Sequence, residues 1–387
     1  MIDALFWASA LAVAYTWVGY PALMAVVARV RRLGPRSLGC WPRMTVLIAA
    51  YNEARHIRAK LRSTLEQRYP RDRLDVVVVS DGSTDATDDI VARYPDPRVR
   101  LVRQEPRSGK SRALNRAVAA AAGDVLVFTD ANALFAPEAL ARLAAAFHDP
   151  RVGLVSGQGL YGADGDDPHA VANGYVSFEA MARAGESALG FLGGADGAIY
   201  ALRRSLYREL KPAEVNDLVH PIQTALAGYV CRFDPYAYTV EPPSKDAAQE
   251  FRRHTRIIAQ GVELVVDWLP RLVRARRWRA VWVLLSHRVL RWATAALLAI
   301  ALSTNVALAG RAPLYSFTLG LQLTFYAVAA AGWLAERSGV RFGPLALPQY
   351  FCVVAAAGAA GFVRYVRRGA EALWTPTGEI TVKDRAA

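Results

Sequence analysis

Two rhythms of apolar residues run along this chain and divide it into parts. Residues 44–48, 76–79 and 125–128 are short β-branched or apolar runs, each followed at once by polar residues, and they read as buried parallel strands. Between and after them the apolar positions return with a helical period. Helices are predicted over 53–67, 85–94, 110–122 and 137–147, with alanine-rich faces that suit close packing on a sheet. Strand and helix in alternation imply an α/β domain with a mainly parallel, Rossmann-like sheet and right-handed crossovers. A further strand is expected at 198–202. At both ends the pattern changes to long apolar stretches. Residues 4–28 carry almost no charge and exceed the roughly 20 residues that a bilayer core requires. Residues 294–309, 314–335 and 345–363 are three more candidates. The expected organisation is a transmembrane anchor over 1–30, a globular domain over 42–265, an interfacial amphipathic helix over 266–292, a membrane region over 293–366 and a tail over 367–387.

Polar clusters follow the strands. Ala49-Ala50-Tyr51-Asn52-Glu53, Ser80-Asp81-Gly82-Ser83-Thr84-Asp85 and Thr129-Asp130-Ala131-Asn132 each stand at the carboxyl end of a run, where an open α/β sheet forms its ligand crevice. With Gly109-Lys110-Ser111-Arg112-Ala113-Leu114-Asn115 they point to a nucleotide site. Asp81 and Ser83 also suit helix N-caps, and Asn52-Glu53 a helix start. Ser108-Gly109-Lys110-Ser111 is not a P-loop, because the Walker pattern needs Gly at position 104 and Gln104 stands there. Lys110 retains an ammonium suited to a diphosphate or to solvent. The carboxylate of Asp130 is a hard oxygen donor of the kind Mg²⁺ takes together with phosphates. Farther on come Gly193-Gly194-Ala195-Asp196-Gly197-Ala198-Ile199-Tyr200, whose small residues admit a close ligand or a turn, then Val215-Asn216-Asp217-Leu218, then Gln249-Glu250-Phe251-Arg252-Arg253-His254-Thr255-Arg256.

In this order the clusters resemble the motifs of membrane-bound, cellulose-synthase-like family 2 glycosyltransferases, from about Thr45 to Arg256. The resemblance implies a GT-A domain that binds a nucleotide-diphosphate sugar, with UDP-sugar as the expected donor. It implies donor contacts at Ala50, Tyr51, Glu53, Asp81, Gly109, Lys110, Asn115, Asp130, Ala131 and Arg252. It implies a divalent cation, Mg²⁺ or Mn²⁺, at Asp130 and Asn132, where the family pattern is Asp-x-Asp. Gly194, Asp196, Gly197, Gln249 and Arg253 fall to the acceptor, Arg253 standing where the family's Gln-x-x-Arg-Trp motif has Trp. Asp217 becomes the general base of an inverting transfer, although a carboxylate there also suits a helix N-terminus, and Asn216 stands where the family has an acid. His220 is a bystander.

Apolar residues make up 53% of the 387 positions and charged residues 21%, a balance that fits one globular domain joined to membrane spans. The first apolar stretch has Asp3 ahead of it and no positive charge, which favours an anchor over a cleaved leader. Arg29, Arg31, Arg32 and Arg36 follow it, so the positive-inside rule expects the domain in the cytoplasm, at a bacterial inner membrane. One entry span and three exit spans would leave Arg364, Arg367 and Arg368 outside, against the same rule, so residues 345–363 are a candidate re-entrant segment. Net charge is +13, with seven arginines between Arg271 and Arg291 interleaved with Trp268, Trp278, Trp282 and Trp292. That pattern favours anionic lipid over nucleic acid. Cys40, Cys231 and Cys352 make neither a disulfide framework nor a zinc site. The acceptor is expected to be a growing polysaccharide or a lipid-linked saccharide. Transfer of one sugar to a lipid carrier is the alternative, and a degenerate nucleotide-binding subunit is a third reading. Four spans are narrow for a translocation path, which leaves room for an oligomer or a partner subunit.

Overall fold

A computed structural model describes residues 1–31, 39, 41–162, 170–242, 247–338 and 346–369. Arg32, Arg36, Cys40 and most of the tail fall outside these residues, as do the side chains of 170–177 and 247–250, Gln249 among them. The chain begins with a long helix, α1 (Ile2–Val30), that contains one wider π-turn at Tyr15–Gly19.

One eight-stranded sheet follows, in the order β3-β2-β1-β4-β7-β6-β8-β5. Its first half, β1 (Met44–Ala50), β2 (Leu74–Asp81), β3 (Val99–Gln104) and β4 (Val125–Asp130), is parallel. β1 lies between β2 and β4, with Ala50 beside Ser80 and Ala49 beside Asp130. The polar clusters that end these strands are thereby brought to one edge. Along β1 successive side chains enter opposite cores, as a pleated strand requires: Met44, Val46 and Ile48 pack with Ile57 and Leu61, while Leu47 and Ala49 pack with Leu114 and Phe128. Helices α2 (Ile57–Leu65), α3 (Thr87–Ala92), α4 (Lys110–Ala120) and α5 (Ala139–Ala145) cover the two faces. Most start later than the sequence pattern suggests, because the polar residues ahead of them form turns; Asp85 Oδ1, for example, accepts from Thr87 N at 3.0 Å.

The second half adds β5 (Leu134–Phe135), β6 (Val152–Tyr161), β7 (Tyr200–Arg203) and β8 (Val230–Glu241). β7, the strand expected at 198–202, runs antiparallel to both β4 and β6, and β5 runs antiparallel to β8, whereas β6 and β8 are parallel. Helices α6 (Ala170–Leu189), α7 (Asn216–Leu226) and α8 (Ala247–Arg274) pack around this half.

Beyond α8 lie α9 (Trp278–Trp292), α10 (Thr294–Leu308), α11 (Pro313–Arg337) and α12 (Ala346–Arg368). By length and apolarity Ile2–Val30, Pro313–Ala335 and Leu347–Arg367 are long enough to cross a bilayer, and α9 with α10 passes as a pair bent by 61°. Contacts order these helices. Trp17 donates to Thr294 Oγ1 at 3.0 Å, and Tyr315 donates to Asp3 Oδ1 at 3.1 Å. α10 therefore starts beside the middle of α1 and runs back along it, and α11 starts level with the beginning of α1. α12 behaves differently. Phe351, near its start, sits 4.7 Å from the Trp17 ring, while Gly358 packs on the Trp292 carbonyl and Gly361 on Ile258. It starts level with Trp17, where Phe351 also meets Phe325 of α11 at 5.5 Å, and continues along α8.

The expected interfacial helix over 266–292 is divided. Trp278 and Trp282 face outward and Arg271 stacks on Trp268 at 4.4 Å. After the turn at 275–277, however, His287 and Arg291 are buried and Arg288 reaches into the domain, donating from Nε to the Gly193 carbonyl at 2.9 Å. This corrects the assignment of Arg288 and Arg291 to lipid headgroups.

Candidate active site

The donor half is built by loops that fold on Asp81. Its carboxylate is closed to solvent and accepts from Ser108 N (2.8 Å), Gly109 N (2.9 Å) and Gln104 Nε2 (2.5 Å). Asp81 therefore holds the loop before α4. Gly109 has φ +95°, which only glycine adopts without strain, and it turns the chain so that Lys110 opens α4. Lys110 Nζ then lies 2.5 Å from Asp130 Oδ1 at the end of β4. Burial works to raise the Asp130 pKa, but Lys110, Arg253 and Lys60 outweigh it and hold the carboxyl below its usual value. Asn52 Oδ1 accepts from Thr84 N at 2.9 Å and Glu53 N donates to Thr87 Oγ1 at 2.8 Å, tying the first two loops together. The Tyr51 ring carries the Arg107 guanidinium 3.6 Å from its centroid. Ala50 and Ala131 are buried beneath these side chains.

Asn115 does not join them. Its amide donates to the Leu210 carbonyl at 2.9 Å and accepts from Tyr207 and from Leu210 N, so it staples α4 to the 207–210 segment. Lys60, which no sequence signal marked, lies buried on α2 behind Asp130. Its Nζ donates to Thr129 Oγ1 at 2.7 Å and to the Ala133 carbonyl, 3.5 Å from the Phe135 ring centroid. Burial pushes its pKa well below the usual lysine value.

In the acceptor half, Asp217 occupies the first turn of α7. Its neighbour Asn216 donates to Tyr200 Oη at 2.6 Å, and that hydroxyl meets His220 Nδ1 at 2.9 Å inside the core. Burial alone lowers the His220 pKa to about 3. Asn216 and His220 are thus anchors, and they leave the Asp217 side chain turned toward the glycine loop. A methyl group on Gly197 would lie 3.0 Å from Asp217 Oδ2, and Ala195 N donates to the Asp217 carbonyl at 2.8 Å. Asp217 Oδ1 is buried and has no hydrogen-bond partner. Burial raises the Asp217 pKa; Lys110 and Arg288 oppose the rise, and Asp130 and Asp196 add to it. The result is a carboxylate more basic than usual, with an oxygen left to accept a proton.

At Gly194 a Cβ would fall 2.3 Å from Arg288 Nη2, so the glycine makes room for that arginine. Asp196 accepts from Gly159 N (3.0 Å), Arg183 Nη1 (2.9 Å) and Ala198 N (3.2 Å), which ties the glycine loop to β6 and α6. Arg252 is exposed. Arg253, three residues before Arg256 on the same helical face, acts on Asp130 and Glu241, and Arg256 acts on Asp130 and Asp217. Arg253 and Arg256 thus form the side of α8 that meets these carboxylates. Glu241, at the end of β8, was not anticipated. Burial raises its pKa to about 7, with Asp130 and Asp196 contributing in the same direction. A Cβ on Gly159 would lie 3.2 Å from both Asp196 Oδ1 and Glu241 Oε1.

Among the described residues no three His, Cys, Asp or Glu side chains form a complete metal cage. Asp130 at the end of β4 and Asn132 just beyond it nevertheless offer hard oxygen donors, where Asp130 repels both Asp217 and Glu241. Such a set fits a divalent cation that takes its remaining ligands from phosphates.

Residues 45–210 match the model for glycosyl transferase family 2. They form a family 2 glycosyltransferase domain. The domain has relatives in several bacteria. The probable glycosyltransferase YdaM of Bacillus subtilis is 29% identical over 254 residues, covering 62% of this chain and 60% of that protein. The beta-monoglucosyldiacylglycerol synthase of Trichormus variabilis is 30% identical over 144 residues, 36% of this chain and 31% of that one. The chain thus spans less than two thirds of these relatives' lengths. A likeness in solved structures extends farther: the mannosyltransferase PcManGT from Pyrobaculum calidifontis, solved with GDP-Man and Mn²⁺, superposes with a TM-score of 0.69 at 26% identity, covering 95% of this chain and 99% of that one. The GT-A fold expected from the sequence is therefore the fold of this glycosyltransferase domain, here with four parallel and three antiparallel strand pairings.

Proposed function

We propose that the chain moves a sugar from a nucleoside-diphosphate sugar to a hydroxyl of a lipid-linked or polysaccharide acceptor at the membrane, with inversion at the anomeric carbon. The observation that carries this reading is the convergence of Lys110, Asp130 and Asp217, which are far apart in sequence, on one cleft at the carboxyl ends of the strands. Asp217 takes the proton of the acceptor hydroxyl on its carboxylate. The acceptor oxygen forms a bond to the anomeric carbon as the bond from that carbon to the phosphate oxygen breaks, and the nucleoside diphosphate departs. Lys110, Arg253 and Arg256 lie where cationic groups offset the charge that develops on it. Asp130 and Asn132 are the residues that would hold a divalent cation, which when bound supplies further positive charge to the leaving group. A uridine donor follows from the resemblance, while GDP-Man in PcManGT makes guanosine donors the first comparison.

The arrangement of α1, α10 and α11, together with α12 alongside α8, supports a topology of three crossings. The N-terminus is then outside and Arg364 and Arg367 cytoplasmic with the catalytic cleft, which satisfies the positive-inside rule. Incubation of the full chain with UDP- and GDP-sugars and Mn²⁺ tests the activity by release of the nucleoside diphosphate. Release from at least one donor, lost on chelation, is expected. No release from any common donor removes the enzyme reading and leaves the degenerate-subunit alternative.

A further inference from the structure

Helices α1, α10, α11 and the start of α12 line an open cavity of about 750 Å³, within the range of about 300–1,000 Å³ typical of ligand sites. Its walls are almost wholly apolar, and Phe6, Ala10, Leu321 and Phe325 contribute to them. The end nearest the catalytic domain is lined by Trp17, by Phe351 at the start of α12, and by Phe178 of α6. Membrane helices gain little from burying apolar faces against one another in lipid, so an apolar space of this size among them is there to be filled by hydrocarbon.

What separates this cavity from an ordinary lipid-filled crevice is the structure at the end that faces the catalytic domain. Arg291 lies 5.1 Å from the Trp17 ring and 6.0 Å from that of Phe178, and it pairs with Glu179. His287, one turn earlier on α9, bridges Glu179 (2.9 Å) and Glu186. Glu186 also accepts from Tyr20 of α1 at 2.6 Å and from Gly193 N at 2.9 Å, and Arg288 grips the Gly193 carbonyl. The loop so held continues to Ala195, whose amide donates to the Asp217 carbonyl. One buried polar network therefore joins the roof of the cavity to the loop beside the catalytic carboxylate. We propose that this cavity seats the hydrocarbon chain of the lipid that presents the acceptor hydroxyl to Asp217. The assignment rests on the glycosyl-transfer reading and narrows it to an acceptor with a long alkyl or prenyl chain.

Photolabelling of the full chain in nanodiscs with a diazirine-bearing hexadecyl glucoside tests it. Saturable labelling is expected on peptides containing residues 6–17 and 321–326, competed by unlabelled hexadecyl glucoside and not by excess phosphatidylcholine. Leu321→Trp fills the space of about two methylenes; each is worth about fourfold in affinity, so half-saturation rises about fifteenfold. Ala10→Phe on the opposite wall gives the same direction should Leu321→Trp not fold, and Phe317→Trp, exposed on α11 outside the cavity, changes nothing. Equal displacement by phosphatidylcholine, or insensitivity to both cavity substitutions, overturns the assignment to the acceptor. Nucleoside diphosphate release in the same nanodiscs keeps the two readings apart. Release without saturable labelling sinks only the cavity assignment, whereas labelling without release sinks the transfer reading and with it the chain's acceptor role.

Discussion

Replacing Asp217 with Asn removes one negative charge and one proton acceptor while keeping the shape of the side chain. The structure says what should follow. Asp217 Oδ1 is buried without a partner, so no protein hydrogen bond is lost there, and the backbone bond from Ala195 N to the Asp217 carbonyl remains. The Asn216–Tyr200–His220 anchor that fixes the start of α7 is untouched. What goes is the base. Loss of a general base costs about 10²–10⁴ in rate, and a thousandfold loss corresponds to about 4 kcal/mol of transition-state stabilisation. Donor binding moves little or in the opposite direction: Asp217 and Asp130 repel each other, so removing one charge favours a diphosphate by up to about fivefold. Nucleoside diphosphate affinity by calorimetry, beside transfer rate in the same preparation, separates the two effects. A variant that keeps turnover but loses tenfold or more in nucleotide affinity would refute the assignment. The wild-type kcat/KM should also fall on acidification, with its acid limb above the ordinary carboxylate range, because burial raises the pKa of the group that must be ionised.

Arg253→Ala should weaken nucleoside diphosphate binding about tenfold through loss of a charge-assisted contact, whereas Arg252→Ala, being exposed, should leave it within twofold; equal effects would contradict the face assigned to α8. Lys60→Met removes the donor to Thr129 Oγ1 and Ala133 O and should cost about 1–3 kcal/mol, read as a lower thermal midpoint in detergent; an unchanged midpoint contradicts a supporting role. Glu241 carries a folded pKa of about 7 against 4.5 in the unfolded chain, so its proton stabilises the fold below pH 4.5 and that contribution is lost as pH rises toward 7. In chelator, the midpoint should therefore decline less between those values in Glu241→Gln than in the wild type, and parallel profiles would count against the buried position.

Legibility in the sequence followed the physics of each element. β1, β2 and β4 are buried on both faces and read as continuous apolar runs, so their ends, and the clusters at Asp81, Lys110 and Asp130, could be placed. β6 and β8 mix small, polar and aromatic residues around register shifts, and no period identifies them. Asp217 was legible from its motif. Asp81 and Asn115 were found as family positions, but their hydrogen bonds to Ser108, Gly109, Leu210 and Tyr207 depend on segments that meet only in the fold. Lys60, Glu241 and the Glu186–His287–Arg291 network have no local signature. A lysine on an amphipathic helix reads as solvated, and arginines among tryptophans read as lipid-facing, until the opposing carboxylates are known.

Hydrogen exchange on the full chain, with and without nucleoside diphosphate and Mn²⁺, addresses the convergence of the distant segments most directly. Joint protection of residues 105–115, 129–132 and 253–256 is predicted, with 215–218 slowed only when a sugar donor is present. Protection confined to a single segment, or appearing on faces remote from Asp130, would contradict it.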